Sequence, residues 1–429
     1  MKRLIVLLSA LIITTGTFAQ QSVNALFIGN SYTEVNNLPQ MISDIADNMG
    51  DRLTFQSSTP GGCTFSQHCN NQSMTLIRRG GWDVVVLQEQ SQYPSFPQQQ
   101  VENEVFPYAK CLVDSIYANS PCAEPMFYMT WGRKNGDQQN AQIFPILGTY
   151  EGMDSMLYER YMYMAEANDA SVCPVGRVWR WLRNNSDIEL YQSDGSHPSV
   201  AGTYAAACSF YTLIFHQDPS LISFQPPSIS DNDAQTIRNA AHNIVYAQME
   251  QWLRPIPNGD FDYEILDDGK VKFNTYIAQA DSAIWNFGDG VMLQMTAEEC
   301  ENYFIHQYTE CGDYTVLLIA SRHCMIDSTK HTIHIDLPQD TTITAVHNLL
   351  DNTQFVLFPN PTKDIVTIQK DNNTTECELL ILTEEGNEIE RQTLVSFPVT
   401  IDLSRFQSGK YIFLFKTKNG VAVRKVVKL

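Results

Sequence analysis

Positive charge is scarce in this sequence. Its 429 residues include 28 lysine and arginine residues against 48 aspartate and glutamate residues, which gives a formal net charge of −20 at pH 7. Nucleic acids and anionic membrane surfaces are polyanions that attract basic patches. The composition therefore argues against both as partners, and the acidity itself indicates little beyond good solubility.

Metal-binding patterns are also missing. The chain has ten cysteines, but no Cys-x-x-Cys pair and no Cys/His group with the spacing of a zinc site. We therefore expect no structural metal, and no motif implies an organic cofactor. The cysteines fit an oxidising destination, although spacing alone leaves their pairing open.

Long apolar runs are confined to the N-terminus. The first residues, MKRLIVLLSALIITTGTFAQ, carry two cations, an apolar stretch from Leu4 to Ile13 and small residues before a cleavage site after Ala19. This pattern predicts a secretory signal peptide over residues 1–19. The alternative, a membrane anchor, would need a span of about 20 apolar residues, and no later segment reaches that length. We expect an exported, soluble protein.

Residues 22–255 alternate between two apolar patterns. Short runs rich in β-forming residues predict strands, and apolar residues at helical spacing lie between them. The strand candidates are NALFI, RLTFQ, WDVVVLQ and PMFYMTW. Strands that alternate with helices predict an α/β domain whose parallel sheet is covered by helices on both faces. In such sheets, functional groups lie at the carboxyl ends of the strands.

The first predicted strand ends in Gly29-Asn30-Ser31. All three residues favour turns and helix caps, so one interpretation is turn chemistry alone. The other interpretation is that Ser31 is a nucleophile presented where strand becomes helix. The segment lacks the second glycine of a Gly-x-Ser-x-Gly elbow, which argues against the α/β-hydrolase fold of lipases.

A serine nucleophile needs a base, and the base needs an acid that orients it. The segment LYQSDGSHPSVAGTY contains both residue types, because Asp194 and His197 lie three residues apart just before a helical pattern. Gly195 permits a tight turn between them. Taken alone, His197 could be a surface or capping histidine, and Asp194 could be an ordinary turn residue.

Together, the two segments resemble the SGNH (GDSL-like) hydrolase superfamily, over roughly residues 23–217. The resemblance implies a flavodoxin-like three-layer parallel sheet, with Ser31 as nucleophile, His197 as general base and Asp194 as its orienting acid. It implies a serine esterase, for which we expect an O-acetyl ester on a polysaccharide as substrate. The alternatives are a thioesterase or lipase acting on small lipids, and a non-catalytic glycan-binding or adhesion protein.

The resemblance also implies an oxyanion hole, in which preorganised N–H groups stabilise charge on the substrate carbonyl. Its expected donors are the backbone N–H groups of Ser31 and Gly62, although a plain Pro-Gly-Gly turn is the alternative for Gly62. The family's Gly-x-Asn-Asp block is absent, and VVVLQEQSQYP stands in its place. We expect the Gln88 amide to replace the missing asparagine. The alternatives are Gln90, Gln92, or three glutamines on a solvated loop.

Three other residues carry weaker signals. His68 could line the cleft, but a lone histidine near two cysteines is more often structural. Trp131, at the end of the fourth predicted strand, could form a pocket wall or belong to the core. Glu89 could serve as a second carboxylate, yet no partner arrangement for glycosidase chemistry is present.

The segment RPIPNGDFDYE, with two prolines and a glycine, predicts a linker. After it, the sequence pattern indicates short strands without helices. Residues 261–337 predict a small β-sandwich, and WNFGDG with the later GDYTV resembles a PKD domain, which implies a spacer or binding accessory.

Residues 354–429 are again β-rich and predict a second small sandwich. FPNPTKDIVTI, DLSRFQSGKYIFLF and the basic end RKVVKL resemble the C-terminal sorting domain of the type IX secretion system. That resemblance implies a Bacteroidota-type bacterium, contact with the secretion machinery, and a secreted or cell-surface location.

Overall fold

The computed structural model describes residues 20–296, 299, 303–337, 355–370, 377–384, 386–417 and 420–429. The predicted signal peptide and the junction 338–354 lie outside these residues. The chain packs into two compact units. The first holds the residues up to Leu76, Trp82–Leu112 and Pro125–Leu253, and the second holds Ile77–Gly81, Val113–Glu124 and Arg254–Leu429.

Five parallel strands form the sheet of the first unit. They are β1 (Ser22–Ile28), β2 (Arg52–Ser58), β3 (Val84–Leu87), β4 (Glu124–Tyr128) and β5 (Ser171–Cys173). Their order in the sheet is β2-β1-β3-β4-β5, which is the flavodoxin-like order with its reversal between β1 and β3. The predicted flavodoxin-like α/β fold is therefore confirmed. The apolar runs of the sequence predict β1–β4 but not β5, which has only three residues.

Helices cover both faces of this sheet. They are α1 (Ser31–Glu34), α2 (Leu38–Met49), α3 (Phe65–His68), α4 (Gln72–Arg79), α5 (Gln98–Glu104), α6 (Phe106–Asn119), α7 (Tyr150–Asn168), α8 (Val175–Asn185), α9 (Val200–Phe215), α10 (Asp231–Ile244) and α11 (Met249–Trp252). Short 3-10 turns occur at Val35–Asn37, Tyr93–Ser95, Asn140–Gln142, Pro145–Gly148, Pro219–Leu221 and Tyr246–Gln248. Among the described residues, no helix is both long enough and apolar enough to cross a membrane.

The core of the first unit surrounds β1, β3 and α9. Residues 25–28 of β1 are buried, and every residue of α9 from Gly202 to Phe215 is buried, as expected of a helix that is apolar on all sides. β1 and β3 are neighbours, and the Gln88 backbone N–H donates to the Ile28 carbonyl at 2.8 Å. The polar segments that follow these two strands therefore begin side by side at one edge of the sheet.

Antiparallel sheets make up the first β-rich segment of the second unit. Its strands are β6 (Asn258–Ile265), β7 (Lys270–Ala278), β8 (Ser282–Asn286), β9 (Met292–Thr296), β10 (Tyr303–Gln307), β11 (Gly312–Arg322) and β12 (Met325–Ile335). They form two sheets, β10-β7-β6 and β12-β11-β8-β9. The two sheets enclose an aromatic core that includes Phe273, Trp285 and Phe287.

The last segment repeats this construction. Its strands are β13 (Phe355–Phe358), β14 (Ile365–Lys370), β15 (Cys377–Thr383), β16 (Glu388–Leu394), β17 (Val399–Asp402), β18 (Gly409–Thr417) and β19 (Gly420–Lys428). They form the sheets β13-β14-β17 and β16-β15-β18-β19 around Phe355, Phe413 and Phe415. The prediction of two small β-sandwiches is confirmed. A disulfide between Cys122 and Cys324 also belongs to the second unit.

Candidate active site

The turn after β1 places Ser31 at the first position of α1. Asn30 is the helix N-cap, and its side chain accepts a hydrogen bond from the Tyr32 N–H at 3.2 Å. Gly29 is needed for space, because a Cβ there would lie 2.5 Å from Thr33 Oγ1 and 2.7 Å from Gln88 Oε1. The Gly-Asn-Ser segment is thus a capped turn in which Ser31 is the residue presented.

Ser31, His197 and Asp194 form a continuous hydrogen-bond chain. His197 Nε2 lies 2.9 Å from Ser31 Oγ, and His197 Nδ1 lies 2.5 Å from Asp194 Oδ2. The carboxylate accepts the Nδ1 proton and so leaves Nε2 with its lone pair toward the serine hydroxyl. The three predicted residues are therefore brought together with the geometry of a nucleophile, a base and an orienting acid.

Asp194 also shapes the turn that carries His197. Its Oδ1 accepts the backbone N–H groups of Ser196 at 2.9 Å and His197 at 3.0 Å, while Gly195 has a positive φ of 69°. Partial burial would raise the pKa of Asp194. The hydrogen bonds from the His197 side chain and these two backbone groups outweigh that effect and hold the pKa below its ordinary value. The carboxylate is therefore ionised while it orients the imidazole.

Aromatic side chains support this turn from the inside. The Tyr32 hydroxyl lies 2.6 Å from Ser196 Oγ, and its ring stacks on Trp131 with centroids 4.8 Å apart. Trp131 Nε1 donates to the Ser196 carbonyl at 3.1 Å. Trp131 is fully buried, so of its two predicted roles the structure shows the core residue and not a pocket wall.

The loop after β2 contacts the turn that carries Ser31. Gly62 has a φ of +66°, and a Cβ at Gly61 or Gly62 would meet nothing within 4 Å. Asn30 Nδ2 donates to the Cys63 carbonyl at 3.1 Å, which joins this loop to the serine turn. Within the described part of the chain, the backbone N–H groups of Ser31 and Gly62 have no hydrogen-bond acceptor. Both are thus available as donors to a bound group.

Gln88 does not have the expected role of an oxyanion donor. Its side chain is fully buried, and its Oε1 accepts from the Asn30 N–H at 2.9 Å and the Thr33 hydroxyl at 3.0 Å. Its Nε2 donates to Asn30 Oδ1 at 2.9 Å and to the Glu89 carbonyl. Both amide hydrogens are used within the protein, so the structure corrects this expectation. Gln88 holds the serine turn and does not face a substrate.

Gln90 and Gln92, the alternatives to Gln88, are also engaged. Gln90 Oε1 accepts the Gln92 N–H at 2.7 Å, and Gln92 Nε2 donates to Asp137 Oδ2 at 2.5 Å. Burial alone would raise the pKa of Asp137, but bonds from the Asn140 and Gln92 side chains hold it below its ordinary value. These glutamines therefore form an ordered network and not a solvated loop.

Glu89 is a functional candidate for which sequence reasoning found no role. Its side chain is fully buried, and its carboxyl oxygens accept the Phe65 N–H at 3.0 Å and the Gln90 N–H at 2.5 Å. Phe65 begins α3, directly after the loop that carries Gly62. Burial raises the pKa of Glu89 to about 8. Gln88 and Glu89 thus hold the two loops that carry Ser31 and Gly62, one loop each.

His68 supports the same turn from behind. Its Nε2–H donates to the Gly29 carbonyl at 2.9 Å, which requires Nδ1 to accept, and Nδ1 lies 2.7 Å from Ser73 Oγ. Burial lowers the pKa of His68 to about 4, so the ring is neutral at physiological pH. His68 is therefore structural and does not line the cleft.

Residues 356–429 match the sequence model of the secretion system C-terminal sorting domain. The resemblance noted for this segment is confirmed, and the sorting domain indicates export, with a secreted or cell-surface location. The part of the chain before it is not covered by that match. No curated protein matches the chain in sequence.

Three solved structures resemble parts of the chain. A DUF4886 family protein from Bacteroides uniformis ATCC 8492 is 16% identical, covers 55% of this chain and 98% of its own, and has a TM-score of 0.47. A proposed SGNH hydrolase from Slackia heliotrinireducens is 24% identical over 44% and 98%, with a TM-score of 0.38. The PKD1 domain of a Vibrio cholerae metalloprotease is 22% identical over 19% and 99%, with a TM-score of 0.16. These are distant likenesses.

Proposed function

We propose that this protein is an exported serine esterase with Ser31 as nucleophile, His197 as general base and Asp194 as the orienting acid. The observation that supports this most directly is the hydrogen-bond chain from Asp194 through both imidazole nitrogens to Ser31 Oγ, with contacts of 2.5 and 2.9 Å. A serine hydroxyl is a weak nucleophile until a base takes its proton, and this chain supplies that base.

In the acylation step, Ser31 Oγ attacks the ester carbonyl carbon while its proton passes to His197 Nε2. Asp194 stabilises the imidazolium that forms. The negative charge on the carbonyl oxygen is held by the N–H groups of Ser31 and Gly62, and each such donor contributes about 3–4 kcal/mol to the transition state. The bond to the alcohol oxygen then breaks, and that oxygen leaves with the proton from Nε2.

The second step reverses these roles with water. His197 Nε2 takes a proton from water, whose oxygen attacks the acyl carbon on Ser31, and the same backbone donors hold the second oxyanion. The bond to Ser31 Oγ breaks, Nε2 returns the proton to that oxygen, and the acid is released. Every atom and proton in this cycle is supplied by the ester, by water or by the three side chains.

We propose an O-acetyl ester on a polysaccharide as the substrate class. The reacting side chains are open to solvent, with 32% of the His197 side chain and 46% of the Asp194 side chain exposed, which suits an ester carried on a polymer. The sorting domain directs the chain to the outside of the cell, where such polymers lie. A lipase or thioesterase for small lipids would need an enclosed apolar pocket. A cavity of about 690 Å³ in the same unit as the triad is lined mostly by polar residues such as Asp187 and Asp233, and its lining includes no triad residue.

The test is hydrolysis of p-nitrophenyl acetate and of an O-acetylated polysaccharide by the full mature chain. Ser31→Ala is compared with Ser57→Ala, which changes an exposed serine at the end of the neighbouring strand. We expect activity in the parent and in Ser57→Ala, and its loss in Ser31→Ala. Equal rates would remove Ser31 from the mechanism. Inactivity of the parent on both substrates would favour the non-catalytic glycan-binding alternative.

A further inference from the structure

Strands of the second unit fall into two classes by the pattern of their side chains. In β6, β7 and β14, buried residues alternate with exposed or half-buried ones, as in a sheet with one face toward solvent. By contrast, β11 has six consecutive buried residues from Val316 to Ser321, and β15 and β18 contain similar runs. A strand buried on both faces must have a second layer packed on its outer side.

The structure shows what covers those outer faces. In the PKD-like segment, Val316 and Leu318 point into its own sandwich, while Leu317 and Ile319 join a separate apolar cluster. In the sorting domain, the inner residues of β15 and β18 likewise fill that domain's core. Their outer residues belong to the same separate cluster as Leu317 and Ile319; they are Leu380, Leu382, Ile412 and Leu414.

This cluster, which we call the inter-sheet layer, draws on both segments. Its buried members are Ile284, Leu317 and Ile319 from the PKD-like segment, and Leu380, Leu382, Ile412, Leu414 and Val423 from the sorting domain. Met292 and Ile326 pack against its edge. Apolar side chains dominate it, so its formation removes a continuous hydrophobic surface from water on each side.

Polar contacts fix the register of the layer at its edge. The side chain of Lys416, 9% exposed, donates from Nζ to the Cys324 carbonyl at 3.3 Å, and Nζ lies 3.7 Å from a carboxylate oxygen of Glu378. Lys416 and Glu378 belong to the sorting domain and Cys324 to the hairpin between β11 and β12. A buried ammonium group that reaches a backbone carbonyl on the other segment requires a specific fit.

We propose that the PKD-like segment is the docking partner of the sorting domain, and that the two remain associated when the chain between them is cut. The described members of the layer come from both sides of the junction 338–354. Each segment has a core of its own, so each half of the interface is a preformed face. A cut in the junction would thus leave the sorting domain bound without covalent linkage. The proposal does not depend on the esterase function.

The test uses the full mature chain with a recognition site for a sequence-specific protease inserted at Thr344. After complete cleavage, confirmed on a denaturing non-reducing gel, the mixture is passed over a size-exclusion column at low micromolar concentration. We expect the C-terminal fragment to elute with the rest of the chain. Elution of the fragment at its own size would overturn the proposal, whatever the variants show.

Two substitutions locate the interaction if the fragments stay together. Leu317→Asp places a carboxylate in the inter-sheet layer, and we expect the fragment to separate after cleavage. The matched control is Ile365→Asp in the sorting domain, at an apolar residue that is 51% exposed, and we expect it to elute as the parent does. If Leu317→Asp does not fold, Leu414→Ala makes the smaller change from the other side and is expected to weaken co-elution. If the C-terminal fragment co-elutes with the rest of the chain in every variant, the two are not held by the inter-sheet layer, which would contradict the proposal.

Discussion

The front and the back of the candidate active site differ in how they meet solvent. In front, His197 and Asp194 are partly exposed, and one hydrogen-bond chain connects them to Ser31. Behind the same turn, Gln88, Glu89 and His68 are fully buried and bond to backbone groups of the loops that present the reacting atoms. The difference separates two tasks. The exposed groups can exchange protons with a substrate, whereas the buried polar groups fix where the donors point.

The largest effect is expected in front. Asp194→Asn keeps an oxygen for the backbone N–H groups of Ser196 and His197 but loses the acceptor that holds the imidazole tautomer. We expect kcat for ester hydrolysis to fall by about 10⁴-fold, with the melting temperature nearly unchanged because the side chain is exposed. The measurement is a pair of kinetic and thermal-melting curves on parent and variant. A large fall in the melting temperature of Asp194→Asn would show that this exposed carboxylate also supports the fold, so that front and back are not separate.

A variant in the back should change both properties at once. Gln88→Leu keeps the approximate size of the side chain, but the buried Asn30 N–H and the Thr33 hydroxyl lose their acceptor. Asn30 Oδ1 loses one of its two donors and keeps the Tyr32 N–H. We expect the free energy of unfolding to fall by about 2–4 kcal/mol and kcat to fall by about 10–100-fold, with KM changed less. Urea unfolding and steady-state kinetics measure the two effects. Unchanged kcat in a destabilised protein would show that Gln88 supports the fold but not the serine turn.

Glu89 offers a test by pH. Because burial raises its pKa from 4.5 to about 8, the folded chain retains a proton there that the unfolded chain releases. Between pH 4.5 and about 8, the free energy of unfolding of the parent should therefore decrease as the pH rises. The contribution of Glu89 to this decrease levels off above its folded-state pKa. Glu89→Gln removes the titration. The urea midpoint is measured at about pH 5.5 and about pH 8.5, and the difference between the two should be larger in the parent than in Glu89→Gln. The same difference in both proteins would contradict the raised pKa of Glu89.

The smallest effect is expected where front and back meet. Tyr32→Phe removes the hydroxyl that lies 2.6 Å from Ser196 Oγ but keeps the ring on Trp131. One hydrogen bond contributes about 1 kcal/mol, so we expect a loss of about fivefold in kcat/KM. Steady-state kinetics on the acetate ester measures it. A loss as large as that of Asp194→Asn would move Tyr32 into the front group.

Local patterns predicted much of this site, because each half of the reacting chain lies within a few residues. Gly29-Asn30-Ser31 follows an apolar run, and Asp194 precedes His197 by three residues, so strand ends and turn chemistry mark these segments. Their reading as a triad rests on the resemblance to the SGNH superfamily. The role of Gln88 could not be found in this way. Its amide is engaged by Asn30, 58 positions away, and that pairing exists only once β1 and β3 are neighbours.

In the second unit, the sequence carries a feature that points to an additional contact: three strands have unbroken apolar runs. The apolar runs in β11, β15 and β18 predict strands of two small sandwiches, which is the fold observed. Their lack of alternation was the sign that both faces are buried. The pattern of one strand does not show which surface covers its outer face, because that surface belongs to another segment of the chain. The three-residue β5 was missed because so short a run has no measurable period.

The burial of α9 has a consequence for how the site can move. This helix begins three residues after His197, and every residue from Gly202 to Phe215 is enclosed by the core. Its amide protons can reach solvent only when the whole unit opens, so the slowest hydrogen exchange is expected there. We therefore expect His197, the proposed base, to have little freedom to swing aside for a bulky ester. We expect any widening of the site at Gly61 and Gly62, where an added Cβ would meet nothing within 4 Å.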